Sequence, residues 1–479
     1  MSIVTSKGPA TFYRIYRPLI TALCLVLIAG CQSYTRRPLT NGIVTQELTV
    51  PVWKNLQMRL SRLKVPWRLT TRLRPDHGLT AGEAAVLTLI LNPDLKAITD
   101  QRGIADANLL QAGILSNPVL SENTDFVTGG FRTDTFTGYG LGLDWNLTQL
   151  IAYRNHVAAA RYQKGAIDLN IGWQQWQYAM AARIDFWRYY STEAQLHEAR
   201  LAYRELAKNE HIQREAYARG LSTLLDLSAA TTSAQQAQSL VLKLGESSKQ
   251  AKFALLRMLG LPGYTIIHIS RTSHLPHELI LPPLALLHKL MLTHRLDLAA
   301  LRKGYQSQDE KLRQAVLEQF PKVNIGFRQA SDTTNVHTTG FGVSVDLPIF
   351  DRNQGRIAIA RATRKMLFDQ YLARVFDARS QLELAEENIL ALQARVTSQS
   401  RAIEALSRLE EIYSQALKQG SADVVTYYRL VNHLISQRIK LIKLREQLEE
   451  NRIALELAAG VIIPRHYRSP PQLTTELHP

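Results

Sequence analysis

One half of this chain repeats the other. Asn92-Pro-Asp-Leu95 recurs as Arg295-Leu-Asp-Leu298 at an offset of 203, and Ser116-Asn-Pro-Val-Leu120 meets Gln319-Phe-Pro-Lys-Val323 at the same offset. Thr137-Gly-Tyr-Gly-Leu-Gly-Leu-Asp144 meets Thr339-Gly-Phe-Gly-Val-Ser-Val-Asp346 at 202, and Gly220-Leu-Ser222 meets Gly420-Ser-Ala422 at 200. Four landmarks in one order at nearly constant offset mark an internal repeat, which constrains a fold more than any single motif does. Each half predicts the same series: helix, strand, loop, strand, very long helix, turn, helix.

The helices set the dimensions. From about Leu150 to Arg219 there is no proline, and from Gly355 to Gln419 neither proline nor glycine after the first residue. Runs of roughly 65–70 residues at 1.5 Å rise reach about 100 Å. Shorter helices are expected at about 81–115, 221–259, 283–318 and 422–459, so that two of them, end to end, flank each long one. Leu434, Leu441, Leu448 and Leu455 fall seven apart beside Ile435 and Ile442, a coiled-coil seam whose role is packing.

The strands have two faces. Tyr139, Leu141, Leu143, Trp145 and Leu147 alternate with Gly140, Gly142, Asp144 and Asn146. Phe341, Val343, Val345, Leu347 and Ile349 alternate with Gly342, Ser344, Asp346 and Pro348, and Val323, Ile325 and Phe327 with Asn324, Gly326 and Arg328. Period two puts one set on each face. About ten residues suffice for a tilted membrane strand, apolar to lipid and polar to a lumen. Asp144, Asn146, Asn324, Arg328 and Asp346 are then lumen-facing. Pro118–Phe126 alternates poorly and is a fourth strand only through the repeat. Taken alone, these strands fit two soluble hairpins packed on helices better. The polar connections Thr128–Asp134 and Ser331–His337 suit surface loops, placed outside the cell. Four strands cannot close a barrel. Two copies would give eight strands and a filled interior; three would give twelve and an open passage.

The N-terminus reads as an address. Lys7, Arg14 and Arg17 precede the apolar stretch Leu19–Ala29, and no acidic residue occurs before Glu47. Ile28-Ala29-Gly30-Cys31 resembles the bacterial lipobox, which implies cleavage before Cys31 and covalent lipid on it. Gln32 after the cysteine favours the outer membrane. With only Cys24 and Cys31 in the chain, no disulfide framework or cysteine zinc cluster can be built. Lys and Arg total 57 against 41 Asp and Glu, a formal +16. These charges are spread without aromatic interleaving, and the export signal places the chain away from nucleic acid.

The whole arrangement resembles the TolC family of outer-membrane efflux proteins over about residues 80–460. The residues carrying the resemblance are Asn92-Pro-Asp-Leu95, Ser116-Asn-Pro118, Leu347-Pro-Ile-Phe350, Asp351-Arg-Asn-Gln-Gly-Arg356 and the two glycine turns. The expected fold is mainly α with a β-barrel part: a two-fold repeat of long coiled-coil helices and β-hairpins, forming a trimeric twelve-stranded barrel plus an α-helical tunnel. The resemblance also implies docking on a periplasmic adaptor and an inner-membrane pump. The boundaries read as signal peptide 1–30, lipid-anchored strap 31–80, first repeat 81–260, linker 261–281, second repeat 282–460 and disordered tail 461–479.

The glycine turns carry the expected partner contacts. Gly220, Leu221, Ser222 and Thr223 in one, and Gly420, Ser421 and Ala422 in the other, each end a long helix, with Ser222 or Ser421 expected to cap the next. The resemblance puts them at the periplasmic tip. Some relatives carry an acidic ring just after the second turn. Here Thr426 and Arg429 stand there, so that Arg429 would form a cationic ring or be a solvated arginine.

No chemistry is visible: there is no G-x-S-x-G, Walker loop or CxxC, and His277-Glu278 is followed by Leu281 where a zinc protease needs its second histidine. No enzyme, metal site or cofactor is expected beyond the lipid at Cys31. The reading is a passive exit duct of a tripartite efflux system. The alternatives are a coiled-coil structural lipoprotein without a pore, or the exit duct of a type I protein secretion system. Leu347–Gly355 looks most like the metal-ion efflux branch.

Overall fold

The computed structural model describes residues 33–49, 77–130 and 136–464, with the single positions 56, 58, 59 and 73. The signal peptide, Cys31, most of the strap, residues 131–135 of the first loop and residues 465–479 of the tail lie outside the described residues. The chain divides into two units, residues 1–51 and 52–479. In the first unit, α1 (Asn41–Glu47) is one short helix whose N-cap Thr40 accepts the Ile43 N–H.

The second unit opens with α2 (Ala81–Leu91), α3 (Pro93–Ala112), β1 (Val119–Asp125), β2 (Gly138–Asn146), α4 (Thr148–Ala218) and α5 (Leu224–Leu259). There follow α6 (Leu284–His294), α7 (Leu296–Leu317), β3 (Lys322–Ser331), β4 (His337–Asp346), α8 (Gln354–Lys418) and α9 (Val424–Ala459). The long helices α4 and α8 have 71 and 65 residues, which at 1.5 Å per residue is about 105 and 98 Å. Among the described residues no helix is long and apolar enough to cross a membrane.

One expectation is corrected. The helices predicted at about 81–115 and 283–318 are each two helices, broken at Asn92 and Arg295. Pro93 has no N–H to continue α2, and the Asn92 side chain accepts the Leu95 N–H at 3.0 Å to start α3. Arg295 is extended at ψ 115, and its guanidinium pairs with Asp297 at 2.7 Å while lying over the Trp173 ring.

Both breaks are docking points. Gly260 ends α5 in the left-handed conformation at φ 72, where a Cβ would sit 2.6 Å from the Leu91 carbonyl. The Asn92 amide donates to Met258 O at 2.9 Å. Gly460 ends α9 at φ 74 with its missing Cβ 3.0 Å from the Arg295 nitrogen. Only glycine fits both the backbone angle and the close approach. Thus α2–α3 and α5 meet end to end along α4, and α6–α7 and α9 along α8.

Aromatic residues of α4, among them Trp176, Phe186 and Trp187, form one core with Ala84 and Leu89 of α2 and Leu255 and Leu259 of α5. A second core joins Ala378, Leu382 and Ile389 of α8 to Leu444, Leu448 and Leu455 of α9. The heptad leucines 434, 448 and 455 are buried, and Leu441 packs against this core. Between α4 and α9 lie buried charges. Arg183 meets Glu456, Arg452 meets Glu449 and Glu456 at 2.6 Å each, and both partners of the pair reach the Ile463 backbone. Burial opposes the Arg452 charge, but bonds and attraction from Glu449 and Glu456 outweigh it and hold its pKa above the ordinary value.

The two classes of glycine turn separate in a stability test. At Gly220, also φ 72, an added Cβ would meet nothing within 4 Å. Gly220→Ala should therefore cost only the left-handed penalty of about 1–2 kcal/mol, whereas Gly260→Ala should lower the melting temperature, read by circular dichroism at 222 nm, by clearly more. Equal shifts would contradict the docking role of Gly260.

Candidate functional site

The sheet is a four-stranded antiparallel meander in the order β1-β2-β3-β4. Its register decides which residues share a face, because side chains alternate along each strand and directly paired residues point the same way. Asp144 pairs with Gly326, Asn146 with Asn324, Gly142 with Arg328, and Lys322 with Asp346. Asp144, Asn146, Asn324, Arg328 and Asp346 therefore all lie on one face, as the alternation predicts. Ser121, Asn123 and Asp125 of β1 join them through their pairing with Gly142, Gly140 and Gly138.

The opposite face carries Leu143, Phe327 and Phe341 in one row, and Trp145, Ile325 and Val343 in the next. It is uncovered: Phe341 is 89% exposed, and all of β4 is exposed. The poor alternation of β1 has a simple cause. Its residues on this face are Leu120, Glu122 and Thr124, of which only one is apolar.

Glycines make up much of the polar face. Gly138, Gly140 and Gly142 of β2, Gly326 of β3 and Gly340 and Gly342 of β4 all belong to the polar face. Side chains lie flat over them: a Cβ at Gly142 would meet Ser121 Oγ at 2.7 Å, and one at Gly140 the Asn123 amide at 3.1 Å. The Asp144 carboxylate rests over Gly326. The glycine period of two in β2 was the available signal, and it gives the polar face low relief. Asn146 has a second task, since its side chain accepts the Thr148 N–H at 2.9 Å where α4 begins. In the turn between β3 and β4, the Asp332 carboxylate accepts from Thr334 and Val336 backbone N–H groups at 2.9 Å each.

The two hairpin turns are built alike. Gly220 and Gly420 both stand at φ 72, and the Leu221 and Ser421 N–H groups reach back to Ala216 O and Ala416 O at 2.8 and 3.0 Å. The serines are not the caps of the next helices, contrary to expectation. After a left-handed residue the chain needs one more extended residue to re-enter a helix, and that residue is Thr223 (ψ 159) or Asp423 (ψ 127). Thr223 and Asp226 form a reciprocal capping box. Ser222 Oγ instead donates to Gln213 Oε1 at 2.8 Å, and Ser421 Oγ to Ala416 O at 3.1 Å. The turns differ in surface: Leu221 is 78% exposed with Leu224 and Leu225 exposed beside it, while Ser421 and Ala422 offer little apolar area.

Thr426 is already engaged. Its N–H and Oγ1 donate to Asp423 Oδ2 at 2.8 and 2.7 Å. Those bonds, followed by the Arg429 charge, hold the Asp423 carboxyl below its ordinary value. Arg429 is exposed, and its charge reaches Asp423 from farther along α9. Nearby residues that sequence reading missed tie the two hairpins together. Asn432 Nδ2 donates to Ser233 Oγ of α5 at 2.6 Å, and Tyr428 is buried among Leu206, Ala230, Ala234 and Ala237. Burial, then the charges of Tyr427, Asp226 and Glu210, push the Tyr428 hydroxyl up to about 12. No signal in the sequence separates Tyr428 from its neighbour Tyr427. Among the described residues no group of three or more His, Cys, Asp or Glu could hold a metal ion.

The depressed Asp423 gives a pH prediction. A carboxylate lowered in the folded state contributes stability above its unfolded pKa, near 3.9, and loses it as pH falls through the folded value. The first turn of α9 should stay protected from hydrogen exchange near pH 4 and open only at lower pH. Asp423→Ala should open it at every pH, because the cap is then gone. Protection that fades at the ordinary carboxylate value would contradict the cap.

Residues 287–461 match the family model described as outer membrane efflux protein. A search of curated protein sequences finds no match. Among solved structures, a membrane protein from Pseudomonas aeruginosa superposes with a TM-score of 0.69 at 16% identity, covering 82% of this chain and 99% of that one. CusC, whose structures concern folding and transmembrane channel formation, gives 0.66 at 18%, covering 83% and 97%. The outer membrane protein VceC from Vibrio cholerae gives 0.66 at 19%, covering 80% and 96%. Residues 287–461 are thus similar to outer membrane efflux proteins, and the chain shares its fold with CusC and VceC.

Proposed function

We propose that this chain is the passive outer-membrane exit duct of a tripartite efflux system. The observation that carries the reading is the two-faced sheet: an uncovered apolar face, a low-relief polar face, and helices of about 100 Å continuing from its strands. The likeness to efflux proteins and the channel fold support it. In this reading the two halves, 81–260 and 282–460, are a two-fold repeat. The outer edge of β4 in one copy pairs with β1 of the next. An even number of strands per copy keeps every neighbour antiparallel, and three copies make twelve strands around a water-filled bore. The long helices extend the bore into the periplasm.

Covalent lipid at Cys31 anchors each chain in the outer membrane, reinforcing the barrel. The hairpin turns at Gly220–Thr223 and Gly420–Ala422 meet a periplasmic adaptor, and an inner-membrane pump supplies the energy. The chain is no enzyme and needs no cofactor. Arg429 contributes a cationic ring at the aperture, offset in part by Asp423, and Arg328 is the cation at mid-height of the bore.

Planar-bilayer recording of the full-length protein tests this. Discrete conductance steps are expected, and Arg328→Glu and Arg429→Glu should each move the reversal potential in a KCl gradient toward cation selectivity. A protein that inserts without conducting would favour the structural lipoprotein. Conduction with unmoved selectivity in both variants would remove these arginines from the path.

A further inference from the structure

A cavity of about 810 Å³ lies where the sheet meets the helices, walled by the starts of α4, β3 and α8 and the ends of α7 and β4. That is in the range of roughly 300–1,000 Å³ taken by small organic ligands. Asn146, Lys322 and Asp346 line it and belong to the polar face of the sheet. The cavity therefore opens on the side assigned above to the bore.

One wall is a loop held in place from both sides. After β4, the Ile349 N–H bonds to Leu347 O at 2.9 Å, and Arg352 Nε to Pro348 O at 3.3 Å. Asn353 stands in the left-handed region at φ 62, with its side chain buried. Its Nδ2 donates to Ala315 O of α7 at 2.7 Å and its N–H to Asp351 Oδ1 at 2.9 Å. A loop fixed this way cannot fold its apolar residues inward. Phe350 is left 91% exposed at the cavity, and Phe320 from the other wall is 52% exposed.

The charges at this cavity are not matched in ion pairs, although Asp351 accepts the Asn353 N–H and Glu318 the Gln314 side-chain amide. Glu318, Asp346 and Asp351 line it against Lys322 and Arg356. Among the described residues none of these five is in an ion pair, whereas Arg364 pairs with Asp309 and Arg313 with Glu310 on the helices nearby. Lys322 and Asp346 face each other in register and partly offset one another. One negative charge remains in excess. Exposed aromatic faces beside a carboxylate excess select a cation with an apolar body, since ring faces and carboxylates both attract positive charge. A bare metal ion is disfavoured, for the donors form no ligating group among the described residues.

We propose that this cavity is a transit subsite for amphipathic organic cations of a few hundred daltons. The ring or alkyl body lies on Phe350 and Phe320, and the amine approaches Asp346 and Asp351. This rests on the duct reading for its role in transport, but the binding itself does not. Passage requires such a site to hold its ligand weakly enough to release it.

The test titrates rhodamine 6G, a cationic amphipathic dye, into full-length protein in mild detergent by fluorescence polarisation, with detergent alone subtracted. Saturable binding of about one dye per chain is expected. Phe350→Ala should weaken it about tenfold while leaving the melting temperature in place, because the ring packs on little. Phe350→Tyr should restore it, and Asp346→Asn should weaken it several-fold. No saturable binding, or binding that Phe350→Ala and Asp346→Asn leave unchanged, overturns the proposal even when the same preparation conducts in bilayers. A preparation that binds dye through Phe350 and does not conduct supports the subsite and sinks the duct.

Discussion

The constraint on which the rest of this structure depends is the open sheet. Four strands in the order β1-β2-β3-β4 leave the outer edges of β1 and β4 without a strand partner among the described residues. In water such edges are hydrated. In hydrocarbon each unpaired backbone group costs several kcal/mol, and only closed barrels avoid that penalty. The apolar face argues for hydrocarbon, because Phe341, Val343 and Val345 are exposed along a strand with no helix packed over it. In the proposed duct, the uncovered apolar face and the two open edges are satisfied together by a barrel closed by further copies of the same chain.

Helix neighbours follow strand neighbours: α3 packs on α4, α4 on α7 and α7 on α8, in step with β1, β2, β3 and β4. The sheet is stitched to the helices at its base, where Leu147 N–H reaches Val323 O at 3.0 Å and Val323 N–H reaches Thr148 Oγ1 at 2.7 Å. Farther along, the buried Arg183, Glu449, Arg452 and Glu456 join α4 to α9 and fix the Ile463 backbone. Buried ion pairs contribute little net stability over well-packed apolar residues. Their consequence here is register, since sliding α9 along α4 by one turn would part Arg183 from Glu456 in the interior, while Arg452 would keep both carboxylates of its own helix.

Local pattern explains what could be read from the sequence. The strand faces were legible because alternation is a property of consecutive residues, and the register places all five polar residues from Asp144 to Asp346 on one face. The long helices were legible because their runs lack proline. The motifs at Asn92 and Arg295 were seen but set inside helices, although Pro93 and the Asn92 cap already forbade a continuous one. The caps at Thr223 and Asp423 were misplaced by one or two residues, because the left-handed glycine shifts where the chain can re-enter a helix. Gly260, Gly460, Tyr428 and the Arg183–Glu456 pair were not legible at all. Each acts on residues far away in sequence, and nothing local distinguishes Gly260 from a plain helix end until Leu91 stands against it.

Closure by copies is tested most directly by the native mass of the full-length protein extracted in mild detergent, corrected for bound detergent and lipid. A mass of three chains is predicted. A monodisperse monomer with the sheet intact would leave both edges unpaired and contradict the closed barrel.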